Sequence, residues 1–329
     1  MRLPSTRNLL STSIAVFMAM FCMVSLAQTN EQRQLILVVG APGDPDYAEQ
    51  FSTQADLWKQ AATKGSMQIT VIGQSDSGTN DDRTILLNTL TTEVSKPSGE
   101  LWLVFIGHGT FDGHSAKFNL RGPDIAADEL ATALKPCRRP LIVIQCASAS
   151  GPFLSALSVP GRVIITATRS GYEVNATHFG GYLARAIADP AADLDKDGQT
   201  SLLEAFLLAS RQTADFYKEQ GRLMTEHALL DDNGDKLGTP PDWFQGVRAV
   251  KTASGGKSVD GVRAHQIMLV RSDAEQKLSP ELRARRDALE QKLSALRSRK
   301  AHMAEDDYYQ QLESILVETA RLYQSMVTK

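Results

Sequence analysis

Leu101-Trp102-Leu103-Val104-Phe105-Ile106-Gly107-His108-Gly109 decides the fold class. Six apolar residues run together without a polar alternate and then stop at Gly-His-Gly. A strand with one wet face would alternate, whereas an unbroken apolar run fits a strand buried on both faces of a parallel sheet. Working outward, residues 35–39, 141–144 and 163–167 read the same way, and 68–72 is a weaker fifth run. Helical patterns lie between them at 48–62, 81–94, 128–134 and 179–187. Alternation of this kind predicts an α/β fold, a doubly wound and mostly parallel sheet with helices on both sides. Ligands of such sheets bind outside the carboxyl ends of the strands, so that edge is where chemistry is expected.

The chain has 329 residues, 42% hydrophobic and 22% charged, enough for a sizeable core, and its formal charge of −3 carries no footprint for nucleic acid. Arg2 and Arg7 precede an apolar run at 9–26, and Ser25-Leu26-Ala27 puts small residues where a signal peptidase reads. Residues 1–27 are therefore expected to be a signal peptide. The mature chain would be secreted or periplasmic, with no membrane association after cleavage; an uncleaved anchor is the alternative. Cleavage would leave 33 basic against 38 acidic residues. Cys137 and Cys146 flank an expected strand and should lie roughly 25 Å apart at ~3.3 Å per residue, too far for a disulfide.

Residues 28–250 are expected to form the α/β domain. Residues 251–272, with Gly255, Gly256 and Gly261, read as a linker, and 273–329 as a helical hairpin. Ser279-Pro280 is a helix start. Leu282, Leu289, Leu293 and Leu296 recur at near-heptad spacing, as do Tyr309, Leu312, Leu316 and Tyr323 after a break at 301–305. The hairpin is expected to pack on itself or on the main domain. Self-association through these C-terminal helices as a coiled coil is the alternative.

His108 between two glycines, just past a buried strand, points to chemistry. Glycine turns sharply and leaves the imidazole uncrowded. The next core run ends in Gln145-Cys146-Ala147-Ser148-Ala149-Ser150-Gly151. If the two strands are neighbours, an imidazole on one can meet a short nucleophile on the other. The small residues permit a tight turn whose N–H groups could face a developing oxyanion. A thiol is the better nucleophile, but Cys146 still belongs to the strand and reads as a core residue. Ser148 lies in the turn. No third residue is assured to hold the imidazole; Asp112 is a candidate by proximity in sequence.

Strand, His-Gly, strand, then Cys-x-Ser-x-Ser-Gly resembles the caspase–legumain superfamily of cysteine peptidases. Residues 105–109 look like its His motif and 143–151 like its nucleophile turn. Residues 164–168, Glu173 and Phe179-Gly180-Gly181 are similar to the strand and helix beyond, where the family builds part of its substrate pocket. The resemblance spans about 33–230. It implies a caspase-like fold, a protein or peptide substrate, and hydrolysis of peptide bonds. Matching Ser150-Gly151 to the family's Ser-Gly puts Ser148, not a cysteine, at the nucleophile position, with Cys146 two residues early. The reading is a peptidase-like hydrolase using His108 with Ser148 (or Cys146). A catalytically silent calcium-binding scaffold on the same fold is the alternative.

Asp193-Leu194-Asp195-Lys196-Asp197-Gly198 opens a twelve-residue loop closing at Glu204. Acids at positions 1, 3 and 5, glycine at 6, Gln199 at 7, Ser201 at 9 and Glu204 at 12 make an EF-hand calcium pattern. Oxygen donors there would converge on Ca²⁺, Gly198 would supply the sharp turn, and 205–218 the exit helix. The competing reading is an acidic loop that caps a helix at Ser201. Asp231-Asp232-Asn233-Gly234-Asp235 is a second acidic turn, expected to be solvated. Asp44 and Asp46 follow the first strand and are expected to line the cleft. Gly40-Ala41-Pro42-Gly43 is no phosphate loop, since no Gly-Lys-Ser/Thr follows.

Overall fold

A computed structural model describes residues 32–75, 81–251 and 259–327 of the chain; the expected signal peptide lies outside the described residues. In chain order the first half runs β1 (Gln34–Val39), α1 (Pro45–Lys64), β2 (Gln68–Ile72), α2 (Asp82–Val94) and β3 (Leu101–Ile106). Three short strands follow, β4 (Gly109–Phe111), β5 (Ala116–Phe118) and β6 (Ile125–Ala126), then α3 (Ala127–Leu134), β7 (Leu141–Gln145), α4 (Gly151–Leu157) and β8 (Arg162–Thr166). The chain continues through α5 (Phe179–Ala186), α6 (Leu202–Glu219) and β9 (Leu229–Asp231) to α7 (Val262–His265), α8 (Asp273–Lys277), α9 (Pro280–Arg299) and α10 (Glu305–Val327).

The main sheet has the order β2-β1-β3-β7-β8-β9. Its first five strands are parallel, and β9 closes the edge antiparallel to β8. The five apolar runs are thus the five parallel strands. In β1, β3, β7 and β8 the side chains alternate between two buried faces, so the interior positions are apolar and the polar residues, Gln34, Gln145, Arg162 and Thr166, stand at strand ends. Leu35, Leu37, Trp102, Val104 and Ile144 meet α1, α5 and α6 on one face. Ile36, Val38, Leu103, Phe105 and Val143 meet α2, α3 and α4 on the other. This is the doubly wound α/β sheet expected from the sequence, followed by C-terminal helices.

The chain leaves β1 for β2 on one side and returns to β3 on the other. The crevice between the carboxyl ends of β1 and β3 is therefore the topological switch point, where ligands of such sheets bind. His108 stands at its rim. The expected neighbour relation also holds, with Phe105 of β3 paired to Gln145 of β7.

Beyond β9 the stretch expected as a linker contains α7 and a segment held by the main domain. The Arg33 guanidinium donates to the carbonyls of Met268 and Leu269, and Gln266 reaches the Asp287 carbonyl of α9. No helix of the described residues is long and apolar enough to cross a membrane.

Candidate active site and acidic loop

The His108 loop and the 146–151 turn are fastened to each other at one residue. The Gly109 N–H donates to Ser148 Oγ at 3.1 Å, and the Ser148 hydroxyl donates to the Gly109 carbonyl at 3.1 Å. The glycines flanking His108 are required by close approach rather than by a left-handed backbone. A Cβ on Gly109 would overlap the Ser148 carbonyl oxygen, and one on Gly107 would come within 2.9 Å of the Phe118 ring. The turn itself carries Ala149 at φ +53°, a conformation uncommon for a side-chain-bearing residue and tolerable for a small one.

The imidazole is held from the α1 side. Its ring packs edge-on against Tyr47 (4.5 Å between centroids) and Phe51 (5.1 Å). Burial lowers its pKa, and a hydrogen bond to the Pro42 carbonyl partly opposes this. The ring's neighbours are thus Tyr47, Phe51 and the Pro42 carbonyl of the β1–α1 loop, not Asp112. Asp112 instead accepts from the N–H groups of His114 and Ser115 in the β4–β5 turn. It is Gly109, the residue after His108, that meets Ser148; among the described residues no hydrogen bond joins His108 to Ser148.

The turn's N–H groups also differ from expectation. The Ala147 N–H bonds Gln145 Oε1, the Ala149 N–H bonds the Glu173 carbonyl, and the Gly151 N–H bonds Thr168 Oγ1. None of the three is free for an oxyanion. The backbone donor that meets the hydroxyl is instead the Gly109 N–H.

Cys146 continues the alternation of β7 into the face covered by α1 and α5. It is buried, and burial, with a contribution from Glu226, pushes its thiol up to about 12. Gly180 lets α5 close over it, since a Cβ there would lie 2.6 Å from Cys146 Cβ. Such a thiol is protonated and inert at neutral pH. Both described cysteines are free thiols.

Glu173 and His227 pair at the same sheet edge, Nδ1 to Oε1 at 2.5 Å; Arg169 Nε meets the same oxygen at 3.2 Å, and Oε2 accepts from the backbone N–H groups of Arg169 and His227. Glu226 accepts from the N–H groups of His178 and Phe179 at the start of α5 and from the Tyr217 hydroxyl. A cleft of about 500 Å³ between α1 and α5 is lined by Asp46, Gln54, His178, Tyr182 and Arg185 among others. Asp46 thus lines this α1–α5 cleft, whose lining includes neither His108 nor Ser148, while Asp44 caps α1 through the Asp46 N–H.

The second cluster is the 193–204 loop. Asp193, Asp195 and Asp197 bring carboxylate oxygens within 4.8 Å of one another, and Asp195, Glu204 and His265 form a second such group. Gly198 makes the turn at φ +88°. Asp193 accepts from the N–H groups of Lys196, Asp197 and Gly198. Glu204 accepts from Leu194 and Asp195 with one oxygen and from Ser201 with the other, completing a capping box that starts α6. Gln199 bridges the Ser272 N–H and Asp197. Burial raises the Asp197 carboxyl's pKa; its bonds from Gln199 pull the other way, and Asp195 and Glu204 add to the rise.

The second acidic turn is not solvated. Asp231 and Asp232 are buried. Asp231 binds Ser158 Oγ and the N–H groups of Gly234 and Lys236. Asp232 accepts from Gly261 and Ala264 at the start of α7, while Asp260 accepts from Asp232, Asn233 and Thr239. The turn is one half of a clasp whose other half lies 28 residues downstream. No sequence pattern nearby announces that partner.

No protein-family model matches the chain, and no curated protein matches it. Solved structures similar to it include caspase-1 from Spodoptera frugiperda, at 9% identity over 62% of this chain and 87% of that one, with a TM-score of 0.43. The Drosophila initiator caspase Dronc is similar at 16% identity over 63% of this chain and 82% of that one, with a TM-score of 0.44. These scores are low, and the fold class stands on the chain's own strand order and register.

Proposed function

We propose that this protein is an exported, peptidase-like hydrolase acting on peptide bonds, with Ser148 as nucleophile, His108 as general base and a calcium ion in the 193–204 loop. The observation that carries the reading is the junction at Gly109, which sets the nucleophile turn against the base-bearing loop and aims an N–H at Ser148 Oγ. The depressed His108 pKa keeps the imidazole neutral, the form a general base needs. The Pro42 carbonyl and the Tyr47 and Phe51 rings fix its orientation.

In the reaction the Ser148 hydroxyl turns from the Gly109 carbonyl toward His108 and attacks the scissile carbonyl as the imidazole takes its proton. The new oxyanion accepts from the Gly109 N–H group. His108 then gives the proton to the leaving amine, and water releases the acyl group by the same route.

Calcium fits the second cluster chemically. The donors are carboxylate oxygens suited to a hard cation, crowded together and partly buried. Asp193, Asp195, Asp197, Ser201, Glu204 and the Gln199 carbonyl would hold it. The ion would supply stability to the loop ahead of α6 rather than chemistry, since none of these residues belongs to the His108 site.

A second reading, a catalytically silent peptide-binding scaffold, is favoured by one observation. The Ser148 hydroxyl uses both its proton and a lone pair on Gly109. A fluorophosphonate probe separates the two. Labelling of the parent that is lost in both Ser148→Ala and His108→Ala supports the hydrolase. A parent that neither labels nor cleaves a peptide library, yet binds peptides, overturns it in favour of the scaffold.

A further inference from the structure

The helix α10 carries two apolar seams, one buried and one half-exposed, with Lys300 lying 5.7 Å from the Tyr309 ring of the second. Tyr308, Ile315 and Leu322 stand seven residues apart, with Tyr308 and Leu322 at 6% and 2% exposure and Ile315 half-buried. They form the seam that packs on α9. One residue further along, Tyr309, Leu316 and Tyr323 repeat the same spacing at 49%, 47% and 48% exposure. A heptad repeat drifts only ~20° per step on an α-helix, so these three side chains share one face beside the α9 seam. Three large apolar residues on one line of a surface helix are not scattered exposure, and heptad seams are satisfied by other heptad helices.

We propose that this stripe is a homodimer interface, in which two copies set their α10 helices antiparallel about a two-fold axis at Leu316. The stripe is self-complementary. It reads Tyr, Leu, Tyr in either direction, so the axis places Leu316 against the partner's Leu316 and Tyr309 against the partner's Tyr323. Such an isologous contact closes at two subunits. Of the positions beside the stripe, Val317, Ala320 and Gln324 carry no charge and Glu313 carries one. Glu313 and Gln310 also border a polar groove with Arg321, where Arg285 pairs with Glu318, and that groove offers no comparable seam. With α9 already on the first seam, pairing through the second builds a four-helix layer from two hairpins.

Sedimentation of the chain from residue 28 onward tests this. The expected result is a concentration-dependent dimer whose dissociation constant rises at least tenfold in Leu316→Glu. Ser314→Glu, on the polar flank, should leave it unchanged, and both variants should keep the parent's melting temperature. In a Cys137→Ser background, Leu316→Cys should cross-link into dimers on mild oxidation and Ser314→Cys should not. A parent that stays monomeric to about 100 µM overturns the proposal. So does a dimer indifferent to Leu316→Glu, or one in which Leu316→Cys fails to cross-link, since each puts the contact on another face or another partner.

Discussion

Ser148 Oγ and the backbone of Gly109 exchange two hydrogen bonds, each 3.1 Å long, so the residue after His108 and the middle of the next strand's turn are locked as a pair. The lock needs glycine, because any Cβ at 109 would overlap the Ser148 carbonyl. Gly109→Ala should therefore destabilise the fold by about 1–3 kcal/mol, as overpacking does. Ser148→Ala, which removes both bonds but leaves space, should cost only about 1–2 kcal/mol. Urea denaturation of the two variants gives the comparison; a Gly109→Ala protein as stable as the parent would mean that the turns do not sit this close.

Thiol reactivity provides a separate check on the nucleophile. With its pKa pushed up to about 12 and its side chain closed under Gly180, Cys146 should resist iodoacetamide in the native protein at neutral pH. Half-buried Cys137 should be modified first. Peptide mapping reads both sites. Rapid native labelling of Cys146 would reopen it as the attacking group.

Calcium should raise the melting temperature, because a ligand held only by the folded state stabilises it by mass action. Asp195→Ala is the informative variant. Its carboxylate accepts from the Asp197 N–H and meets His265, whereas Glu204 also serves the capping box of α6. Asp195→Ala should remove the calcium-dependent rise while changing the chelated protein little. Glu204→Ala should lower stability by about 1 kcal/mol even in chelator. A parent whose melting curve ignores millimolar calcium would defeat the metal reading.

The buried Asp232–Asp260 clasp predicts an unusual pH dependence. Burial, reinforced by Asp232 and Asp231, raises Asp260 to about 8 against the opposing bonds from Thr239 and the Asp232 N–H. A carboxyl whose folded pKa exceeds its unfolded value binds its proton more tightly when folded. Its contribution is thus intact below the unfolded pKa near ~4 and is lost as pH rises toward 8, at up to about 1.4 kcal/mol per pH unit. Stability should fall between about pH 4 and 8 in the parent, and Asp260→Asn should flatten that slope. Denaturation midpoints across this range are the measurement, and equal slopes in the two proteins would count against a proton held by Asp260.

Strand identity was legible because burial on both faces of β1, β3, β7 and β8 leaves apolar residues everywhere but the strand ends. The runs at 35–39, 68–72, 101–106, 141–144 and 163–167 lie within one residue of the five parallel strands. The short strands β4, β5, β6 and β9 were not legible, since two or three residues carry no periodicity. His108 and the 193–204 loop stood out because their signals are local, a glycine pair at a strand end and a ligand spacing. What escaped was every partner distant in sequence. Pro42, Tyr47 and Phe51 hold the imidazole from 57 to 66 residues upstream. Asp260 completes the Asp231–Asp232 turn from 28 downstream.

Chain composition and patterning by themselves determined the layered α/β class, the strand that ends at His108 and the turn that holds Ser148, because hydrophobic burial repeats along the chain with the period of the element that forms it. Only the tertiary structure decided which groups those side chains meet. It set Ser148 on Gly109 rather than on the imidazole, used up the N–H groups of Ala147, Ala149 and Gly151, gave His108 a carbonyl for its partner and sank Cys146 beneath α5. Hydrogen bonds and desolvation depend on positions fixed to a fraction of an ångström by packing between segments far apart in the chain, and no local stretch of sequence contains that distance.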